Sequence, residues 1–110
     1  MAKFLFSYRV PNVSLEERIN QLGPSAVAEV VSRWNAWFES MGESVLDRGN
    51  RVIDSRALGA CNGDMRPGGY TVVGAENLEA AVALAAACPG LQMGGGVEVG
   101  VLQEPAGGIE

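Results

Sequence analysis

The residues able to do chemistry in this chain are few, and an absence narrows the choice first. The sequence contains no histidine, which removes imidazole acid–base catalysis, Ser-His-Asp and Cys-His arrangements and most zinc sites together. Cys61 and Cys88 stand far apart, with no CxxC or other metal-ligand spacing. Cys88 falls on the apolar stripe of a helical pattern, where a packed thiol is a simpler account than a nucleophile. Cys61 sits in a glycine-rich stretch without a neighbour to activate it. Gly94-Gly95-Gly96 invites comparison with a phosphate loop, but such a loop follows a strand and opens a helix, whereas this one precedes a strand. A tight turn is the expectation there.

Carboxylates and aromatic rings remain. Tyr8, Trp34, Trp37 and Tyr70 could wall a binding cleft, although tryptophans on a helical stripe also serve as core or interface packing. Asp47, beside Arg48 and the Gly49-Asn50 pair, could supply polar contacts together with Asn50; surface ion pairing is the plainer reading of Asp47 and Arg48. Glu98 lies inside a strand between Val97 and Val99. If buried against a partner, it is either an acid or ligand anchor, or one half of an inter-subunit hydrogen bond. Any catalysis is then limited to carboxylate acid–base or positioning chemistry. No metal site and no cofactor are expected.

Elements must position these groups, and the composition permits one domain to do so. The chain has 110 residues, 47% hydrophobic and 19% charged, as an ordinary globular domain does. A net charge of −5 with scattered Arg and Lys speaks against nucleic acid. The longest apolar run, Ala80–Cys88, is too short to span a membrane, and Met1-Ala-Lys-Phe leads into a strand pattern rather than a cleavable signal. Two free thiols fit a reducing cytoplasm.

Lys3–Arg9 reads as a first strand ended by Pro11. Ser14-Leu-Glu-Glu17 is a capping box for a short helix that ends near Gly23, expected as a surface excursion. Pro24 opens the main helix, along which Val27, Val30, Val31, Trp34, Trp37, Phe38 and Met41 recur on one stripe, and Gly42 closes it. Residues 44–48 and 51–57 flank Gly49-Asn50 as either a hairpin or a single bent strand with a bulge. Residues 59–69 read as loop, Tyr70–Ala75 as strand, and Asn77 caps a helix reaching Cys88 with Leu78, Ala81, Val82, Ala85 and Cys88 buried. Val97–Leu102 is the last strand, and residues 104–110 a mobile tail after a domain of residues 1–103. The order β-α-β-β-α-β predicts an α+β, ferredoxin-like antiparallel sheet with its helices on one face.

The strands are apolar on both alternating sets: Phe4, Phe6 and Tyr8 against Leu5 and Ser7, and Tyr70, Val72 and Gly74 against Thr71, Val73 and Ala75. A face that greasy predicts a cover, and a second copy packed sheet on sheet is the expected partner.

Taken in order, "KFLFSYR", "WNAWFESMG", "LDRGN", "GGYTVVGAENLEAAVALAAACP" and "GGGVEV" resemble the YCII-related family over nearly the whole chain. The resemblance implies two ferredoxin-like subunits forming a dimeric α+β barrel. Some relatives carry a histidine early in the first long helix and an aspartate near its end; Ala26 and Ser40 stand near those positions here, so that pair is not carried over. A DGPF motif of another branch is not preserved in "NGDMRPGG". The chain thus resembles a third branch, for which the resemblance implies no particular activity.

Two functions compete. One is a small-molecule-binding or enzyme-like homodimer with a cleft between helices and sheet or at the subunit seam. The other is a non-catalytic regulatory or protein-interaction module, plausible by analogy alone.

Overall fold

A computed structural model describes residues 1–61 and 63–104. The sheet is built around β1 (Ala2–Pro11), which pairs on one side with β3 (Met65–Ala75) and on the other with β4 (Gly96–Leu102). The short β2 (Val45–Asp47) adds to the free side of β3, so the order is β2-β3-β1-β4 with every neighbour antiparallel. Three helices complete an α+β fold: α1 (Leu15–Leu22), α2 (Pro24–Met41) and α3 (Leu78–Ala85). This order is compatible with the ferredoxin-like expectation.

Local chemistry sets the helix ends. The Ser14 hydroxyl accepts the Glu17 amide at 3.0 Å, and Asn77 Oδ1 accepts the Ala80 amide at 2.8 Å. Gly23 ends α1 and hands over to Pro24, whose missing N–H costs nothing at the first helical position. Gly42 closes α2 with its N–H on the Phe38 carbonyl.

The helices cover the face of the sheet bearing Phe4, Phe6, Tyr8, Thr71, Val73 and Ala75, all buried. Trp37 and Met41 of α2 and Ala81 and Ala85 of α3 close over them. Phe6 stacks on Trp37 with centroids 6.1 Å apart, and the Trp37 indole donates to the Leu84 carbonyl at 3.1 Å. Each such large side chain taken from water contributes about 1.5–3 kcal/mol. On the other face Leu5 and Val72 are half-buried, while Tyr70 and Leu102 are exposed among Lys3 and Glu98.

Four local expectations change. The strand expected from Tyr70 begins at Met65, because Pro67-Gly68-Gly69 is not loop but the bulged part of a strand paired with β1, with the register shift between Tyr8 and Arg9. The hairpin is absent, and of the single bent strand only Val45–Asp47 forms: beyond it the chain stays beside β3 through an isolated bridge of Arg51 to Gly69 and the Tyr70 amide on the Asn50 carbonyl, and residues 52–58 form no strand. The last helix stops at Ala85 and a 3-10 turn, Pro89–Gln92, follows. That helix also rolls so that alanines meet the sheet, leaving Leu78 and Val82 exposed while Ala81, Ala85 and Cys88 are buried. Small side chains let the backbone approach closely, which the bulkier pair would prevent. Of the expected tail, residues 105–110 lie outside the described residues, and Glu104 stands 3.9 Å from Lys3.

Among the described residues no helix is long and apolar enough to cross a membrane.

Candidate functional site

Toward its N-terminal half, α2 parts from the sheet. A cavity of about 350 Å³ opens there, with α1 as its outer wall. Apolar side chains reach it from both helices; Ile19, Leu22 and Val31 are at least 40% exposed because they face this space rather than core. On the sheet side, Gly68, Gly69, Gly95 and Gly96 line it; a Cβ would meet open space at Gly96, whereas at the other three it would fall within 3.0 Å of Val10, Asn50 and Arg9. The size is at the small end of the range for clefts that hold organic ligands.

Tyr8 and Trp34 meet edge to face inside the cleft, with centroids 5.0 Å apart. The Tyr8 phenol donates to Thr71 Oγ1 at 2.7 Å, and the Thr71 hydroxyl donates to the Arg48 carbonyl at 2.8 Å. Burial pushes the Tyr8 phenol well above its ordinary range, against the weaker opposing effect of Thr71, so it stays protonated at neutral pH. It can give or accept a hydrogen bond, but it is no base.

The rim is cationic. Arg18, Arg48, Arg51 and Arg66 line the cavity; Arg9 lines it too, but strand alternation sends its side chain with Ser7 to the opposite face, and no carboxylate is among the described residues of the lining. The ion pairs of the other cations lie elsewhere, at Lys3–Glu104, Arg33–Glu29 and Arg56–Asp54. Neutral oxygens hold Arg9, Arg48 and Arg66. Arg66 donates to the Val13, Val52 and Pro67 carbonyls, and Arg9 to the Met65 carbonyl. Arg48 lies 4.3 Å from the Phe38 ring centroid and donates to Asn35 Oδ1 at 2.6 Å.

Of the residues singled out from sequence, Tyr8, Trp34, Asn50 and Tyr70 line this space. Strand alternation sends the Tyr70 ring to the opposite face from Thr71, and its hydroxyl accepts from Asn50 Nδ2 at 3.4 Å. Trp37 lies behind Trp34 in the core, 5.5 Å from it. Asp47 shapes the turn instead, its carboxylate accepting the Gly49 amide at 2.9 Å. Glu98 is exposed and pairs across from Ser7 on the face away from the helices. The short first helix, expected as a surface excursion, proves to be a wall of the cleft.

Of the arginines the sequence singled out only Arg48, as a neighbour of Asp47; the others come from separate segments, and only the "DRGNR" cluster, where Arg48 and Arg51 flank Gly49-Asn50, carried a local signal. Both thiols stand apart from the cavity lining: burial raises the pKa of Cys88, and Cys61 donates to the Leu58 carbonyl. No group of His, Cys, Asp and Glu among the described residues is fit to hold a metal ion. The arrangement can therefore hold and orient a ligand by ring contact, hydrogen bonds and positive charge, but offers no general base. Neither a family model nor a curated protein matches the chain.

Proposed function

We propose that the chain is a small-molecule-binding domain whose ligand occupies the cleft between α1, α2 and the sheet. It acts as a homodimer of ferredoxin-like subunits in the dimeric α+β barrel that the YCII-related resemblance implies. One observation carries the reading: apolar side chains of two helices turn toward a space bounded by aromatic rings and polar groups. Amphipathic helices bury such a stripe unless something else is to occupy the gap. The half-apolar outer face of the sheet, with Leu5, Val72, Tyr70 and Leu102, favours a sheet-on-sheet partner.

A thermal-shift screen of small organic molecules tests the cleft. Compounds that raise the melting temperature of the wild type should fail on Val31→Trp, which fills the space from an exposed helix position. Stabilisation that survives Val31→Trp, or none from any compound, refutes the cleft. Sedimentation equilibrium at micromolar concentration should give a dimer mass, and a monomer defeats the barrel.

A regulatory or interaction module is the second reading. Ile53 and Leu58, 72% and 87% exposed on the segment between β2 and β3, favour it.

A further inference from the structure

The geometry points to an organic anion, a carboxylate, sulfonate or phosphate head on a flat apolar body, as the ligand of the cleft. This inference rests on the small-molecule reading above and adds to it the ligand's charge and shape.

Charge distribution carries the argument. The chain is acidic, with thirteen Asp and Glu against eight Lys and Arg. Yet four of its seven arginines, Arg18, Arg48, Arg51 and Arg66, line one cavity between helices and sheet, and no described carboxylate lines that cavity. Guanidinium groups remain charged at any physiological pH, so their mutual repulsion is a standing cost that a bound anion relieves. The structure itself does little to neutralise them. Arg48 and Arg66 rest on neutral oxygens, while Arg18 and Arg51 make no side-chain hydrogen bond or ion pair to a described residue. A planar fork left uncommitted is the group best matched to a carboxylate or phosphate.

The rest of the wall specifies the body. Trp34 presents ring surface beside Tyr8, and Ile19, Leu22 and Val31 offer apolar contact opposite. Charge at the rim and apolar surface within describe an amphipathic molecule, not a free inorganic ion. A volume of about 350 Å³ between helices and sheet favours a small molecule over an acidic peptide.

Two fluorescent probes share one body and differ in charge: 8-anilinonaphthalene-1-sulfonate and the uncharged N-phenyl-1-naphthylamine. Titrating each into the full-length protein should show saturable binding of the sulfonate, about tenfold or more tighter than that of the neutral probe. Arg18→Gln and Arg51→Gln should each weaken the sulfonate about tenfold and leave the neutral probe unchanged. Arg33→Gln removes the same charge from the outer face of α2 and should change neither. Equal binding of both probes, indifferent to Arg18 and Arg51 but lost in Val31→Trp, overturns the anion and leaves the small-molecule cleft standing. Equal losses in Arg33→Gln and the rim variants also overturn it, since net charge alone would then explain binding. If neither probe binds saturably, both the anion and the cleft are wrong.

Discussion

The two halves of α2 carry the same apolar stripe and meet opposite fates. Toward the C-terminus, Trp37 and Met41 are buried on Phe4, Phe6 and Val73. Toward the N-terminus, Val27, Val30 and Val31 face a cavity, and Val31 is 44% exposed. The stripe runs through both ends, with valines at one and Trp37 and Met41 at the other, and the opposing sheet differs as well. Aromatic and branched residues fill one end, whereas the other brings glycines and a bulge between Tyr8 and Arg9. A core and a binding cleft can thus be made from one helix by changing what lies beneath it.

The sharpest way to break this comparison is truncation at the closed end. Phe6→Ala should cost about 3–5 kcal/mol of unfolding free energy, measured by urea denaturation. If it costs no more than Val31→Ala does, the two ends are not different in kind. Next comes the turn that carries the rim. Gly49 has φ +78°, and a Cβ there would fall 1.7 Å from the Tyr70 carbonyl oxygen. Gly49→Ala should therefore destabilise by at least about 2 kcal/mol, from left-handed strain and a backbone shift together. It should also weaken probe binding, which Phe6→Leu should not.

Thr71 lies on the boundary between the halves. Thr71→Val removes the acceptor of Tyr8 and the donor to Arg48, at an expected cost of about 1–3 kcal/mol. The same hydrogen-bonded phenol gives a pH signature. Because burial raises its folded pKa, the protonated form favours the native state, so its contribution is intact below the ordinary tyrosine value of about 10. Stability should fall as pH climbs above that value, and Tyr8→Phe should flatten the fall in pH-dependent denaturation. The smallest effect belongs to the open end: Val31→Ala should change stability by less than about 1 kcal/mol, because that side chain already meets solvent.

The helix was legible in sequence because its limits are local. Pro24 and Gly42 act through their own backbones, and both ends fall where those residues place them. Division of its stripe into core and cavity was not legible, since a 3.6-residue period says which side is apolar but not what faces it. Met65–Gly69 was hidden for a related reason: Pro67, Gly68 and Gly69 carry turn chemistry, and only pairing with β1, distant in sequence, makes them strand. Tyr8 and Trp34 could be nominated as aromatic walls, but the rim could not. Arg18, Arg48 and Arg66 line one cavity only after three segments fold together.

Gathering Arg18, Arg48, Arg51 and Arg66 at one cleft leaves Lys3, Arg9, Arg33 and Arg56 as the cations of the remaining exterior, facing an excess of acids. An incoming anion is repelled by that exterior and drawn to the rim, where charges of one sign beside low-dielectric walls focus the field. Added electrolyte weakens such a field over a distance of about 10 Å at 0.1 M. Arrival at the rim should therefore slow as ionic strength rises, and the molecule would admit its guest fastest in a dilute medium.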